Sequence, residues 1–378
     1  MSTKNSTANQ SLGNATIAIP VRENTIRIYD YPFFDPAWQL AITIEFYFHY
    51  AVIAIGMFGT AANALVLYAL IAYHAREAKK RAINLLVTHQ NLLDFISCFI
   101  LVVTYSIGTR IEMTGALGYF ICVTFISQSA IYTFLYASVI NLALLTIERY
   151  LKIVHPFWSK KHLKRWMIYA GMAFAWIGGF LYTVPPAVTT TIMVHKVCLA
   201  YFVWESPAAK MLYTVGSNLL FFLLPLVIFV YCYGRIVVVM KRQMRVMAAH
   251  SSESSSAPTN ASQRQSKRAK WNITKTMIIV SVMFSVCWLP NTIYFIVADS
   301  AINSNNLFVG YFFTLFMVYL NTCINPFIYA LKHDGVKKRL GQLMSCQRCK
   351  TVAPVVDSSA STSGTVGKTK QTIPGATR

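Results

Sequence analysis

Charge is scarce in this sequence. Only 12% of its 378 residues are charged, where a soluble globular chain carries roughly 25%. Negative charge is scarcest: 13 acids stand against 34 bases, a formal net charge of +21. So little charge points to lipid, not water, around much of the surface. Catalytic signatures are missing too. No HExxH, GxSxG or Walker pattern occurs, so the residues for those hydrolytic and nucleotide chemistries are absent and no enzyme is expected. No inverted repeat, glycine-interrupted half-helix or polar pore face is found, which disfavours a membrane transporter or channel. Residues 1–38 lack an apolar core preceded by basic residues. The first apolar run is therefore expected to act as the insertion signal.

What is present is apolar. Hydrophobic residues make up 55% and aromatics 14%, and the mean hydropathy is positive at +0.47. A helix needs about 20 mostly apolar residues to cross the hydrocarbon core. Runs of that kind lie at 41–73, 82–108, 119–153, 165–187, 208–240, 274–297 and 307–331. Backbone groups in lipid must be satisfied within the segment, so each run reads as a helix. The expected fold is an all-α membrane protein, a seven-transmembrane helix bundle followed by a short amphipathic eighth helix.

Loop charge sets the orientation. The first loop holds Arg76, Lys79, Lys80 and Arg81, the third Lys160, Lys161 and Lys164, the fifth Lys241, Arg242, Lys267 and Lys270. The second loop has Arg110 alone, the fourth Lys196 and Lys210, and the sixth has no base. Odd loops are therefore cytoplasmic and the N-terminus extracellular, as expected for a multi-pass protein of the plasma membrane. The basic residues face the anionic cytoplasmic leaflet. They sit in gaps between apolar runs, not on one folded soluble face, so nucleic acid is not the expected partner.

The tails follow the same division. Residues 1–40 read as an extracellular tail with glycosylation triplets at Asn5, Asn9 and Asn14. Residues 247–265 read as a disordered cytoplasmic loop and 346–378 as a disordered tail. Ser358, Ser359, Ser361 and Thr362 cluster in that tail, where kinases could act. The eighth helix spans 332–345, with Val336, Leu340, Leu343 and Met344 among bases. Cys346 and Cys349 follow it in juxtamembrane position and suit palmitoylation. Cys98, Cys232, Cys287 and Cys323 fall within apolar runs. Cys122 and Cys198 face the oxidising side and are expected to pair.

Polar residues at membrane depth are functional by default. Asn63 and Asp94 lie in the first two runs, and Glu148-Arg149-Tyr150 ends the third. Trp176 is central in the fourth, and Pro225 and Tyr233 lie in the fifth. Cys287-Trp288-Leu289-Pro290 marks the sixth and Asn325-Pro326-Phe327-Ile328-Tyr329 the seventh. In that order, these residues resemble the signatures of the rhodopsin-like G-protein-coupled receptors. The resemblance spans roughly 41–345. It implies that Arg149, held by Glu148 at rest, engages a heterotrimeric G protein and turns toward Tyr233 and Tyr329. It also implies that Pro290 and Pro326 permit bends, and that Trp288 and Phe284 repack as helix six swings outward. Arrestin and receptor kinases are further implied partners. No resident cofactor is implied, apart from an allosteric sodium ion among Asp94, Ser138, Asn321 and Asn325.

Some features depart from the pattern. Lys270 stands where an acid at the foot of helix six often pairs with the arginine. Cys122 lies 27 residues before Arg149, two more than the family's usual spacing. The usual outer-loop Trp is absent, and Tyr119 or Phe120 is the expected substitute. Ile131 replaces the acid of amine receptors and Tyr319 the lysine of opsins. Family positions place Gln128, Ile131, Tyr132, Trp288, Asn291, Tyr294, Phe295 and Tyr319 around an outer pocket without fixed charge. The outer loop 189–205 carries Thr and Val residues around Cys198 and suits a hairpin. Together with the residues after Pro290, it resembles neuropeptide receptors, so a peptide is the expected ligand and a small neutral or lipid-like molecule the alternative.

Overall fold

A computed structural model of the chain describes residues 18–21, 24–27, 36–76, 81–107, 113–194, 196–251, 258–300, 306–332, 336–337 and 341. Seven of its helical spans are long and apolar enough to cross a membrane. Among the described residues the α-helices are α1 (Pro36–Arg76), α2 (Arg81–Ile107), α3 (Gly115–Ile121), α4 (Ser129–Val154), α5 (Pro156–His162), α6 (Arg165–Thr190), α7 (Pro207–Asn218), α8 (Leu224–Ser251), α9 (Pro258–Ser300) and α10 (Asn306–Lys332), and all but α5 contribute to the spans. The third span joins α3 to α4 through a π turn, Cys122–Ile126, and the fifth joins α7 to α8 through another, Leu219–Leu223. The second π turn has a local cause. Pro225 has no N–H to return to the carbonyl four residues earlier, so the α ladder cannot run unbroken into it.

α4 is the axis of the bundle. It packs on α2, α6 and α8, while α1 packs on α2 and α10, and α9 packs on α10. The sequence assigns α4 this place: Leu135, Ser138, Asn141, Leu145 and Thr146 are all buried along it. By contrast α6 turns Phe174, Ile177 and Leu181 outward, and α8 turns out Val227 and Val230. Exposed apolar faces of that kind are the lipid-facing surface of a membrane bundle, where helix association relies on close packing and interhelical hydrogen bonds. Asn63 illustrates both. Its amide nitrogen donates to the Gly59 carbonyl at 2.9 Å and the Thr322 carbonyl at 3.1 Å. Its carbonyl accepts from Asn91 at 2.8 Å. One side chain thus ties α1, α2 and α10.

Three features differ from the sequence reading. Residues 247–265 are not wholly irregular: α8 runs through Ser251 and α9 begins at Pro258, leaving 252–257 outside the described residues. The membrane helices supply a ready nucleus, and Met, Ala, Gln, Lys and Arg propagate helix well. The N-terminal segment is not pure tail either. β1 (Ala18–Val21) pairs antiparallel with β2 (Asn24–Arg27), as β-branched Ile19, Val21, Thr25 and Ile26 favour. Of the eighth helix, residues 336, 337 and 341 are described, with helical backbone, and Val336 joins the core at 1% exposure. Asn5, Asn9, Asn14, Cys346 and Cys349 lie outside the described residues.

Candidate functional site

The outer end of the third span is broken, and the break shapes a cavity. After the π turn, Gln128 adopts a left-handed conformation, φ 63°. Such a backbone costs a non-glycine residue about 1–2 kcal/mol, and strain of this sort gathers at binding sites. Serines on either side satisfy the disrupted ladder. Ser129 Oγ donates to the Val123 carbonyl at 2.6 Å, and Ser127 Oγ donates to the same carbonyl. The π turn and the left-handed residue accommodate the longer Cys122–Arg149 spacing. They also aim Gln128 inward. Its amide oxygen accepts from the Tyr319 hydroxyl at 2.6 Å, and Tyr105 donates to that hydroxyl at 3.2 Å.

The cavity above this triad measures about 360 Å³ and is lined by Gln128, Tyr132, Tyr136, Tyr213, Phe222, Trp288, Asn291, Phe295 and Tyr311, among others. That volume lies in the range of small-molecule or peptide-side-chain sites. Five of the expected lining residues are therefore in place: Gln128, Tyr132, Trp288, Asn291 and Phe295. Three are not. Ile131 is buried in the core at 1% exposure, because the break upstream rotates the start of α4. Tyr319 is wholly buried beneath the floor. Tyr294 packs its ring on Tyr311, 5.7 Å away, outside the lining. The expectation of no fixed charge also fails. Lys210, one turn into α7, lines the cavity and alone among the described lining residues carries a formal charge.

A hairpin covers this end. β3 (Ile192–Val194) pairs antiparallel with β4 (Val197–Leu199), Met193 opposite Cys198. Cys198 is joined to Cys122 by a disulfide, which pins the hairpin to the π turn. Tyr119 donates its hydroxyl to the Val188 carbonyl at 2.9 Å, tying α3 to the end of α6. Beyond the hairpin, Tyr201, Trp204 and Tyr213 form an aromatic wall, with Trp204–Tyr213 centroids 5.4 Å apart. Burial pushes the Tyr201 phenol above its ordinary pKa, partly offset by its hydrogen bond to Tyr213, so it stays neutral.

Beneath the cavity, aromatic rings run inward. Tyr136 stacks on Phe221 at 3.8 Å and approaches Trp288 at 6.1 Å. Trp288 meets Phe284 at 5.5 Å, which in turn meets Phe229 at 5.7 Å. Phe284 is thus central to the packing between α8 and α9. Pro290 lies inside α9 just above these rings, and Pro326 inside α10. At the C-terminal end of α4, Arg149 Nε lies 3.3 Å from Glu148 Oε2, both side chains mostly buried. Glu148 also pairs with Lys152. Tyr150 is more peripheral, its hydroxyl 3.2 Å from His155 Nε2. Tyr233 shares a hydrogen bond with Thr146 at 3.0 Å. The Tyr329 hydroxyl is buried with no hydrogen-bond partner among the described residues.

The family model "7 transmembrane receptor (rhodopsin family)" matches residues 62–329. This chain belongs to the rhodopsin family of seven-transmembrane receptors. It is therefore a receptor, not an enzyme, and a multi-pass membrane protein. It is 28% identical to human proteinase-activated receptor 3 over 294 residues, covering 72% of this chain and 68% of that one. It is 25% identical to rat somatostatin receptor type 4, covering 77% and 70%, and 24% identical to rat galanin receptor type 1, covering 79% and 81%. The fold matches squid rhodopsin with a TM-score of 0.64 at 17% identity, over 89% of this chain and 92% of that one.

The receptor's buried Asp94 sits in a polar network denser than its sequence suggested. Ser138 donates to Asp94 Oδ1 at 3.1 Å, and Asn325 donates to Oδ2 at 2.8 Å. Gln90, which sequence reasoning passed over, donates to Oδ1 at 3.4 Å and also to Ser138. Its own oxygen accepts from Asn141 at 2.8 Å. Asn321 is buried one turn before Asn325. The expected sodium ion does not fit this arrangement. A hard cation needs an open point among oxygen lone pairs, yet the Gln90 amide nitrogen bonds both Asp94 Oδ1 and Ser138 Oγ, the oxygens such an ion would share, and of the site's oxygens Asn325 Oδ1 is left without a hydrogen-bond partner among the described residues. The signal for Gln90 was present: His89, Gln90, Asn91 and Asp94 crowd one stretch of a membrane span, where polar residues are costly.

Proposed function

We propose that this receptor binds an extracellular peptide in the outer cavity and activates a heterotrimeric G protein by outward movement of the inner half of α9. The observation that carries the coupling half is the pairing of Arg149 with Glu148 at the inner mouth. Tyr329, in the seventh span, holds a buried hydroxyl without a hydrogen-bond partner among the described residues. An unmade buried hydrogen bond costs about 1–3 kcal/mol. A rearrangement that turns Arg149 toward Tyr233 and Tyr329 recovers that cost, so the inner mouth is built for two states. Lys270 offers no acid to hold α9 closed.

The ligand half rests on the cavity and on similarity. The relatives are named for somatostatin, galanin and proteinase activation, and the disulfide-pinned hairpin leaves an aromatic-walled opening. The lining offers Lys210 and no acid, so the docking group is neutral or anionic, such as a peptide C-terminus or an acidic side chain. Binding at Tyr136 and Trp288 touches α9 directly and reaches its packing on α8 through Phe284 and Phe229. A second reading, a lipid-like ligand, is favoured by a neighbouring outer cavity of about 740 Å³ along α6 and α7, which shares Trp204 and Tyr213 with the first. The remaining proposals are glycans at Asn5, Asn9 and Asn14, lipidation at Cys346 or Cys349, kinase and arrestin contact with the cytoplasmic tail, and residence in the plasma membrane with the N-terminus outside. A neuropeptide-library screen with a promiscuous G-protein readout, run beside a lipid panel, tests the ligand. Peptide hits support the first reading; hits confined to lipids replace it with the second.

A further inference from the structure

The hydrogen bonds around Asp94 are not isolated; they form one directed chain. It starts at Trp176, whose indole N–H donates to His89 Nε2 at 2.7 Å. His89 Nδ1 bonds Asn141 Oδ1 at 2.8 Å. The Asn141 amide nitrogen donates to Gln90 Oε1 at 2.8 Å, and the Gln90 amide nitrogen donates to Asp94 and Ser138. Every side chain in the series is buried at 3% exposure or less apart from Trp176 and Ser138, the latter at 4%.

The two ends dictate the direction of the whole series. An indole N–H is a donor only. It forces His89 Nε2 to accept, so the histidine proton sits on Nδ1. That proton requires an acceptor, which fixes the Asn141 oxygen toward His89 and its NH₂ toward Gln90. Gln90 must then accept with its oxygen and present its own NH₂ to Asp94. The carboxyl group at the far end, whose two oxygens both accept, agrees with that direction. No amide or ring in the chain can reverse without setting two donors or two acceptors face to face. Such chains polarise one another and gain strength cooperatively.

We infer that the Gln90 carboxamide takes the place of the cation, and that this receptor binds no allosteric sodium at Asp94. The amide hydrogens supply the positive electrostatic partner the carboxylate needs. They are delivered by a side chain locked in direction from α6 through α2 and α4.

The test uses the purified full chain in lipid nanodiscs and reads thermal unfolding in sodium chloride against N-methylglucamine chloride at equal ionic strength. The wild type is expected to unfold at the same temperature in both, within about 1 °C. Gln90→Ala removes the amide and opens its space. Its midpoint is expected to rise saturably in sodium, by about 3 °C when the ion is in tenfold excess over its dissociation constant. Gln90→Leu, which fills the space without a donor, is the companion. A saturable, sodium-specific rise in the wild type overturns the inference. So does a folded Gln90→Ala that ignores sodium, since the amide is then not what excludes the ion. Should neither variant fold, sodium NMR on the wild type decides. Line broadening displaced by an excess of unlabelled competing cation overturns the inference, and its absence supports it.

Discussion

Gly179 offers a direct measure of how closely α4 and α6 must approach. A Cβ built there would lie 2.3 Å from the Thr133 carbonyl oxygen and 3.2 Å from the Ala137 nitrogen. Both are backbone atoms of α4, so no side chain can rotate away. Gly179→Ala must push the helices apart by roughly 1 Å to restore ordinary contact. The Thr133–Thr183 hydroxyl pair, at 2.5 Å, crosses that seam, and the Trp176–His89 bond, at 2.7 Å, ties the same face of α6 to α2. Overpacking costs about 1–3 kcal/mol, and each interhelical hydrogen bond in a membrane about 0.6 kcal/mol. Helix propensity returns about 1 kcal/mol. The net loss is on the order of 2 kcal/mol, a midpoint lower by about 4–8 °C. Thermal unfolding of purified receptor reads it, with Gly234→Ala as the control, because nothing lies within 4 Å of a Cβ there. Helix propensity alone should raise the control's midpoint, and a midpoint for Gly179→Ala that is unchanged or rises with it would refute the argument from close approach.

Two further outcomes are expected. Replacing either Cys122 or Cys198 by Ser frees the hairpin and opens a closure across 76 residues. The chain-entropy loss is about 4 kcal/mol, so surface expression or ligand binding should fall sharply; flow cytometry and a saturation binding assay check this, and full retention of both contradicts it. Tyr319→Phe removes the donor to Gln128 and leaves the left-handed residue less well held. Agonist potency is expected to fall several-fold with the unfolding midpoint lowered by only about 1–3 °C; unchanged potency in a dose–response assay would detach the triad from the cavity.

The spans, their order and the hairpin were legible in the sequence because hydropathy and alternation act locally. The residues of the inner mouth were legible because each signature marks its own helix. What escaped was set by contacts between helices. The spacing of Cys122 to Arg149 showed that the third span departs from its family. It did not show that Gln128 turns left-handed, which is why Ile131 was expected in the cavity and is instead buried. Lys210 was read as loop charge because nothing local says that α7 begins at Pro207 and carries it to the cavity wall. Gln90, His89 and Asn141 are unremarkable one at a time. Their meaning comes from Trp176, on a third helix, facing them. The end of α8 and the start of α9 were read as irregular from composition, whereas the apolar helices carry their register onward.

The central claim is that Arg149 couples ligand to G protein. Guanine-nucleotide exchange on purified heterotrimeric G proteins, reconstituted with the receptor and an agonist peptide, measures it directly. Wild type should accelerate exchange, while Arg149→Ala should bind the same peptide with similar affinity and accelerate nothing. Undiminished exchange from Arg149→Ala would contradict the account.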